Sequence, residues 1–389
     1  MTTDYYKKHW DEVEWQDGDY TVTRTTAWSA PGCHDGCGVL YYTKDGKLEK
    51  VEGDPKNPFN RGSLCMRCVM MPEVVNNPER LKKPLKRVGE RGENKWEEIS
   101  IDEALDIIEE KVRAIWRDYG PESIAVHIGT GRDNNDVIPR MAYCAFGTPN
   151  FSMGYLAGDS CFCPRSASMA STNGDFMIAD MSQQFETRYD EENTEWRCPE
   201  VIVNWGCNAV VSNSDNFFGH WIVDCMQRGA KMITIDPGLT WLAARSDYWL
   251  RVRPGTDCAL AMAMIHVIAE EGLEDKDFVS KWCYGFDELV ERCEPWTPER
   301  AAEVCWVDAD KIREAARMYA NANNAAIQWG LKVDQTTNAT ATANAINALW
   351  AITGNVDVPG GNIIIRKGVL GDGRAVIKSQ RSVNAQFLE

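Results

Sequence analysis

The sequence lacks a run of about eighteen apolar residues, a cluster of basic charge and any internal repeat. Without a long apolar run we expect no membrane-spanning helix and no direct membrane insertion. Residues 1–6 carry neither the apolar core of a secretion signal nor paired arginines, so we expect a cytoplasmic protein. The formal net charge is −16 at pH 7. This acidic balance, without a basic patch, argues against a nucleic-acid partner.

Cysteine, in contrast, is abundant, with fourteen in 389 residues. In a large chain without a secretion signal, these cysteines indicate reduced thiols and metal ligands rather than a disulfide framework. Four of them lie early in the chain with the spacing C-x3-C-x27-C-x2-C: Cys33, Cys37, Cys65 and Cys68. Closely spaced pairs bring thiolates to one centre, and thiolates select soft metals, chiefly as iron–sulfur clusters or zinc sites.

Three interpretations of this cysteine set are open. Structural zinc sites usually have two C-x2-C pairs or a cysteine–histidine mixture, whereas one pair here is C-x3-C and the other contains Arg67. An iron–sulfur cluster tolerates irregular spacing and accepts a distant ligand. Four buried thiols without a metal are the third interpretation. The spacing favours the cluster, and residues 20–70, with a hairpin turning at Asp45-Gly46, favour a small β-rich module around it.

In the later part of the chain the pattern changes to alternating helices and strands. An apolar stripe predicts a helix over residues 101–116 with Ser100 or Asp102 as its N-cap. Apolar strands are predicted at 201–205 and 231–235, with a helix between them. Strand–helix–strand units of this length imply parallel pairing and an α/β fold.

The ends of these two strands form a second candidate site. In parallel α/β sheets, ligands bind beyond the carboxyl ends of strands, where glycine permits close backbone approach and an acid can hold a ribose or a base edge. The residues that follow the strands have this character: Gly206, Asn208, Asp236, Pro237 and Thr240. We predict a nucleotide-type ligand here, and the competing interpretation is a pair of ordinary strand-ending turns.

Residues 253–257, Arg-Pro-Gly-Thr-Asp, form a third candidate at the start of a predicted helix. Thr256 or Asp257 is positioned to act as the N-cap of that helix. The alternative is that Asp257, two residues after Gly255, faces a pair of hydrogen-bond donors such as those of guanine.

A fourth candidate is the segment around Cys161 and Cys163, which enters a predicted helix with Arg165 beside it. A helix N-terminus and a neighbouring cation both lower the pKa of a thiol and favour the thiolate. Either cysteine is therefore a candidate metal ligand, and two buried cysteines are the alternative.

The order of these segments resembles the catalytic subunits of the molybdenum or tungsten bis(molybdopterin guanine dinucleotide) oxidoreductases, the dimethyl sulfoxide reductase family. The resemblance runs from about Thr21 to Ile364. It is carried by the early cysteines and by residues 52–67, 96–105, 204–208, 235–237, 253–257 and 349–361. Residues 28–34 are similar to the branch that contains acetylene hydratase and reductive dehydroxylases. The resemblance implies an α/β fold, α+β overall, in which a small β-rich iron–sulfur module precedes Rossmann-like lobes.

The resemblance also implies a domain organisation. Residues 1–84 would form the 4Fe–4S module, residues 85–155 and 350–389 parts of a first α/β lobe, and residues 156–349 a second lobe that binds one guanine dinucleotide. Members of the family are considerably longer, and their C-terminal cofactor-binding domain is absent from this sequence. We therefore expect a fragment or one half of a split gene. Its partners would be a C-terminal complementing fragment, an iron–sulfur electron-transfer subunit and a small-molecule substrate.

Individual residues acquire roles from the same resemblance. Cys33, Cys37 and Cys65 would ligate a [4Fe–4S] cluster, and Arg67 would aid electron passage between the cluster and the pterin. Cys161 would bind the molybdenum or tungsten, with Cys163 as the alternative. The residues that would line one guanine dinucleotide site are Trp205, Gly206, Asn208, Asp236, Pro237, Thr240, Gly255 and Asp257.

One departure from the family pattern concerns the fourth cluster ligand. The family has a further ligand before Cys33, where this chain has Ser29 and Ala30. Cys68 then becomes the candidate fourth thiolate. The predicted activity is two-electron oxygen-atom or hydroxyl chemistry. Three alternatives stay open: an iron–sulfur scaffold without an active metal site, a non-redox hydratase of the same family, and a zinc-stabilised nucleotide-binding module.

Overall fold

The computed structural model describes residues 3–27, 36–57, 59–128, 137–153, 163–181, 197–211 and 218–364. These residues form two compact units that divide between residues 156 and 157. Each unit contains its own buried apolar side chains. Among the helices of the described residues, none is long and apolar enough to cross a membrane.

The first unit consists mainly of antiparallel strands and one long helix. Its strands are β1 (Glu14–Asp17), β2 (Tyr20–Ala27), β3 (Cys37–Lys44), β4 (Lys47–Gly53), β5 (Leu85–Arg87), β6 (Trp96–Glu98), β7 (Val126–Ile128) and β8 (Phe151–Met153). Its helices are α1 (Thr3–Lys8), α2 (Met66–Val69), α3 (Met71–Val75), α4 (Ile101–Tyr119) and α5 (Val137–Arg140).

Strands β1 to β4 form an antiparallel sheet in chain order, as expected of the β-rich module. Strands β3 and β4 pair with Lys44 opposite Lys47, so Asp45 and Gly46 make a two-residue turn. Both turn residues have left-handed φ angles, 49° and 73°, as a type I′ turn requires. The predicted Asp-Gly hairpin is confirmed.

Helix α4 begins where the sequence predicts it. Ser100 is its N-cap, and the Ser100 hydroxyl accepts a hydrogen bond from the Glu103 N–H at 3.0 Å. The apolar stripe, which would ordinarily face a core, is exposed instead. Ile101, Leu105 and Ile108 have 66%, 57% and 45% of their surface accessible.

The second unit alternates helices with strands. Its strands are β9 (Met177–Ala179), β10 (Val201–Trp205), β11 (Lys231–Ile235), β12 (Tyr248–Leu250), β13 (Ala325–Trp329) and β14 (Asn362–Ile364). Its helices are α6 (Cys163–Asn173), α7 (Phe218–Gln227), α8 (Asp257–Glu270), α9 (Lys276–Trp282), α10 (Phe286–Cys293), α11 (Pro298–Cys305), α12 (Ala309–Ala320), α13 (Leu331–Asp334) and α14 (Ala339–Ile352).

A parallel sheet forms the centre of this unit, with the strand order β12-β11-β10-β13. Every residue of β10 and β13 is buried, which is typical of parallel strands covered on both faces. Helices α8 and α14 contribute Leu260, Met264, Leu349 and Trp350 to the core around the sheet. The predicted parallel α/β arrangement is confirmed.

The described part of the C-terminal region belongs to the second unit. The sequence predicted that residues 350–389 would join the first lobe, and for residues 350–364 the structure differs. The reason is strand pairing, because β14 pairs antiparallel with β9, with Asn362 opposite Ala179. The Asn362 side chain also donates to the Ile327 carbonyl at 3.0 Å, which ties this strand to the central sheet.

Candidate functional site

The parallel sheet has a topological switch point between β10 and β13. From β10 the chain proceeds outward to β11 and β12, and it then returns to the other side of β10 to form β13. In α/β proteins, ligands bind beyond the carboxyl ends of the strands at such a point. The predicted site residues follow the carboxyl ends of β10, β11 and β12.

Two glycines allow the loops after β10 and β13 to pack backbone against backbone. The Gly330 N–H donates to the Trp205 carbonyl at 2.9 Å, and the Gly206 N–H donates to the Ile235 carbonyl at 2.8 Å. A Cβ on Gly330 would lie 2.3 Å from the Gly206 carbonyl oxygen, so no side chain fits there. Gly206 has a φ of +57°, in the left-handed region that favours glycine. The exposed Lys332 lies beside it, since a Cβ on Gly206 would be 3.1 Å from the Lys332 Cβ.

The loop after β11 is shaped by the side chain of Asp236. Its Oδ1 accepts from the Gly238 N–H at 2.8 Å, and its carbonyl accepts from the Trp249 indole at 2.9 Å. Thr240 accepts from the Ala243 N–H at 3.1 Å through its hydroxyl. Asp236 and Thr240 are half-buried, so both can face a ligand at these strand ends as well as hold the turn.

Asp257, the first residue of α8, is held by the buried Trp205. The indole Nε1–H donates to Asp257 Oδ1 at 2.8 Å, and the Trp205 side chain is fully buried. Burial raises the pKa of Asp257, whereas the bonds from the indole and from the Gly255 and Asp257 backbone oppose this rise. The nearby Asp236 carboxylate adds to the rise. The buried Trp205 ring orients the Asp257 carboxylate, and the role of Trp205 in lining a dinucleotide site stays a prediction.

The expected cap of α8 takes a different form from the prediction. Thr256 is at the N-cap position, but its side chain makes no capping bond and donates instead to the Arg253 carbonyl at 2.7 Å. Asp257 is one residue too late for an N-cap, and its carboxyl is bonded to Trp205. Thr256 is thus the N-cap residue as predicted, but the helix has no side-chain capping bond because both side chains are committed elsewhere.

The side chains at this edge fit the nucleotide part of the predicted cofactor. Asp236 and Asp257 are half-buried carboxylates, which can accept from ribose hydroxyls or from ring N–H and amino groups. Asn204 on β10 has a buried Oδ1 with no hydrogen-bond partner among the described residues, while its Nδ2 donates to the Cys207 carbonyl at 2.6 Å. The exposed Lys332 adds the positive charge that a phosphate group requires.

Arg165 ties helix α6 to the loop after β13. Its Nε donates to Asp334 Oδ2 at 2.7 Å, its Nη2 bonds the same oxygen, and its Nη1 donates to the Trp329 carbonyl at 2.9 Å. Only 10% and 1% of the two ion-pair side chains are exposed. Burial raises the pKa of Asp334, and the bonds from Arg165 oppose the rise. The sequence predicted Arg165 as a cation for the thiols, and the structure pairs it with Asp334 instead.

Cys163 is the first residue of α6 and is half-buried, so it lies at a helix N-terminus as predicted. Cys161 lies outside the described residues. A cavity of about 200 Å³ borders this helix and is lined by Pro164 and residues 336–341. Three threonines and Asn338 give the cavity a polar wall next to the predicted metal-ligand segment. The choice between Cys161 and Cys163 stays a prediction.

The predicted cluster ligands lie partly within the described residues. Cys37 begins β3 and is buried, Cys65 directly precedes α2 and is half-buried, and Cys33 lies outside the described residues. Cys68 is 3% exposed and packs in an apolar cluster against the sheet. Over the ranges that the structure covers, no three His, Cys, Asp or Glu side chains gather as a metal site requires. The cluster ligands and the relay role of Arg67 stay predictions.

Three residues of this edge were missed by sequence reasoning. Gly330 follows an apolar strand just as Gly206 does, and this repeated strand–glycine pattern was the available signal. Lys332 follows two residues later and had no distinguishing pattern. Asp334 pairs with a residue 169 positions away, which no local pattern indicates.

The sequence matches two family descriptions. The molybdopterin oxidoreductase Fe4S4 domain matches residues 26–77, and the molybdopterin oxidoreductase domain matches residues 80–382. The chain therefore belongs to the molybdopterin oxidoreductase family. The predicted family, the fold class and the two cofactor classes, a 4Fe–4S cluster and a molybdenum or tungsten molybdopterin, are confirmed at this level.

Several characterised or curated proteins are similar to the chain. A probable dimethyl sulfoxide reductase chain, YnfF, from Escherichia coli is 32% identical over 89% of this chain and 45% of that protein. Acetylene hydratase from Syntrophotalea acetylenica is 33% identical over 83% of this chain and 42% of that protein. The solved structure of acetylene hydratase from Pelobacter acetylenicus has a TM-score of 0.67 at 32% identity, covering 85% of this chain and 43% of that one. The chain thus spans less than half the length of these relatives.

Proposed function

We propose that this chain is the N-terminal portion of the catalytic subunit of a molybdenum or tungsten bis(molybdopterin guanine dinucleotide) oxidoreductase. The observation that carries the proposal is the switch-point edge, where Asp236 and Asp257 stand near Gly206 in a chain of this family. This edge would bind one guanine dinucleotide. Asn208, Pro237, Thr240 and Gly255 would complete the binding surface.

Asp257 would recognise the guanine ring. The carboxylate has about four acceptor positions, and it receives bonds from the Trp205 indole and from the backbone of Gly255 and Asp257. Capacity remains for a further donor, such as the guanine amino group. Lys332 would neutralise part of the charge of the phosphates, because it is exposed beside the Gly206 backbone.

The metal would be held near the start of α6. When bound, the metal centre supplies two-electron oxygen-atom or hydroxyl chemistry. Cys161 would be the protein ligand, with Cys163 as the alternative. The buried Arg165–Asp334 pair would fix the start of α6 against the loop after β13, because it makes four hydrogen bonds between these segments and Trp329.

The first unit would carry electrons. Cys33, Cys37 and Cys65 are the proposed ligands of the 4Fe–4S cluster, and Arg67 would aid electron transfer. Cys68 is the candidate for the fourth ligand, but its packing in an apolar cluster favours a structural role.

The whole enzyme would include a C-terminal complementing fragment and an iron–sulfur electron-transfer subunit. The exposed apolar stripe of α4 supports a complementing partner, because Ile101, Leu105 and Ile108 would be covered by it. The substrate would be a small molecule, and the location cytoplasmic.

Metal analysis of the purified chain, alone and co-expressed with its complementing fragment, tests the proposal. We expect about four iron atoms per chain, with molybdenum or tungsten in the complemented protein. Iron without molybdenum or tungsten would favour an electron-transfer scaffold, and zinc without iron would contradict the cluster and favour a zinc-stabilised nucleotide-binding module.

Two alanine variants of the complemented enzyme separate the candidate metal ligands. We expect Cys161→Ala to abolish turnover while iron content is unchanged, and Cys163→Ala to remain active. The reverse result would assign the ligand to Cys163. Arg67→Ala should slow electron delivery more than it lowers the melting temperature.

A non-redox hydratase is the second candidate, and the similarity to acetylene hydratase favours it. The two candidates differ in their need for electrons. Hydration proceeds at a rate independent of added electron donor or acceptor, whereas oxygen-atom or hydroxyl transfer with redox change stops without one. Turnover measured with and without a dye mediator therefore decides between them.

A further inference from the structure

A pair of thiols lies on the side of the sheet where β10 begins, whereas the predicted nucleotide site lies where β10 ends. Cys198 precedes the amino end of β10, and Cys225 lies within α7. The two thiol groups are within hydrogen-bonding reach of each other. Cys198 Sγ lies 3.9 Å from the Cys225 carbonyl, and Cys225 Sγ donates to the Met181 carbonyl at 3.2 Å. The structure therefore brings the side chains of Cys198 and Cys225 into contact.

The two thiols have different environments. Cys198 is half-buried, and its pKa is lowered by its hydrogen-bonding contact with the Cys225 thiol and by the positive charge of Arg228, while burial opposes the shift. Asp224 opposes this shift. Cys225 is fully buried, and its pKa is raised by its bond to Cys198 and by burial. A half-buried thiol with a lowered pKa therefore lies against a buried thiol with a raised pKa, as in an attacking and a resolving cysteine.

We infer that Cys198 and Cys225 form a reversible disulfide by exchange with a low-molecular-weight disulfide. The Cys198 thiolate attacks one sulfur of the small disulfide, forms a mixed disulfide and releases one small thiolate. The Cys225 thiol then loses its proton to solvent, attacks the Cys198 sulfur and releases the second small thiolate. The two protein thiols are oxidised by two electrons, and the small disulfide is reduced to two thiols.

This disulfide would enclose a segment that contains three of the eight predicted nucleotide-site residues, Trp205, Gly206 and Asn208. The cysteines are 27 positions apart, and the chain between them includes β10, Gly206 and Asn208. The disulfide would close this segment into a covalent loop and would restrict its unfolding. The inference is independent of the proposed function, because it involves neither the cluster nor the pterin.

Peptide mapping under non-reducing conditions tests the inference on the full 389-residue chain. The chain is equilibrated with oxidised and reduced glutathione at increasing ratios, without oxygen. We expect a cross-linked peptide that joins Cys198 to Cys225 and disappears after reduction. Cross-link formation should remove two titratable thiols from the wild-type chain. In Cys198→Ser no cross-link should form, and the Cys225 thiol should stay free.

The Cys225→Ser variant provides a second, independent outcome. Without the resolving thiol, Cys198 should keep a bound glutathione, detected by mass spectrometry as a stable adduct. Cys144→Ser is the matched control, since Cys144 is exposed and its loss should leave the cross-link unchanged. The inference is overturned if Cys144 accepts glutathione while Cys198 and Cys225 stay reduced at every ratio. It is also overturned if wild-type Cys198 carries a stable glutathione adduct and no cross-link to Cys225 forms.

Discussion

Replacing Trp205 with phenylalanine tests whether the buried indole sets the state of Asp257. The substitution keeps an aromatic ring in the core but removes the Nε1–H that bonds Asp257 Oδ1 at 2.8 Å. A hydrogen bond to a charged group contributes about 1.5–3 kcal/mol. If guanine binding depends on the oriented carboxylate, guanosine diphosphate should bind roughly 10- to 150-fold more weakly to Trp205→Phe, where about 1.4 kcal/mol is tenfold.

The pKa of Asp257 determines in which direction the pH profile of nucleotide binding should shift in this variant. Burial already raises the pKa of Asp257, and the indole bond is one of the contacts that oppose the rise. The ionised carboxylate, which accepts from guanine, predominates above this pKa. Losing the indole donor raises the pKa of Asp257 further. As the pH falls, the variant should therefore lose its affinity for the nucleotide at a higher pH than the wild type does. The other ionisable groups around Asp257 are Asp236, Cys258 and Cys305.

The assay is calorimetric titration with guanosine diphosphate and with inosine diphosphate, which lacks the amino group, from pH 5 to pH 8. Trp249→Phe is the matched control, because the Trp249 indole donates to the backbone carbonyl of Asp236 and not to a carboxylate. Trp249→Phe should lower stability without changing the guanine preference. An unchanged affinity, preference and pH profile in Trp205→Phe would refute the positioning role. Failure of the wild type to bind either nucleotide would instead refute the nucleotide site.

Substitutions at three further places test the packing and the cluster ligands. Asp334→Asn leaves the guanidinium of its partner buried and unbalanced, and should destabilise the chain by about 3–5 kcal/mol in urea unfolding; a loss below about 1 kcal/mol would contradict a buried ion pair. Gly330→Ala pushes a Cβ to 2.3 Å from a backbone oxygen and should cost about 1–3 kcal/mol, whereas Gly238→Ala, whose Cβ would lie 3.4 Å from its nearest atom, should change stability by less than about 0.5 kcal/mol. Cys65→Ser should lower the iron content of the chain, and Cys68→Ser should mainly lower its melting temperature because Cys68 is 3% exposed among apolar side chains; equal iron loss in both would make Cys68 a ligand.

Local sequence patterns predicted the elements of the fold well, because they are set by neighbouring residues. The Asp45-Gly46 turn and the Ser100 cap depend on a few adjacent positions, and both form as predicted. The strands β10, β11 and β13 are mostly apolar, which distinguishes buried parallel strands from surface segments. A local pattern does not indicate which residues far apart in the chain will contact each other.

The candidate site illustrates this limit. Periodicity predicted where β10 ends but not that the Trp205 indole turns inward to bond Asp257, 52 positions later. Thr256 is the N-cap residue as predicted, but its hydroxyl bonds the Arg253 carbonyl instead of a helix N–H, and the packed loop decides between these two partners. The character of the residues was predictable, and their partners were not.

The Arg165–Asp334 pair explains how a site assembled from such distant segments keeps a fixed geometry. A buried ion pair is costly to form, and it is tolerated where hydrogen bonds satisfy both groups. Here the guanidinium and the Arg165 backbone N–H satisfy both carboxylate oxygens, and a further guanidinium N–H donates to the carbonyl at the end of β13. Separating the two segments would leave both charges buried and unpaired, so the pair holds the start of α6 against the loop after β13. If the proposed metal-ligand segment and nucleotide site are correct, this contact fixes the first of them near the second, because Gly330 in the same loop bonds the end of β10.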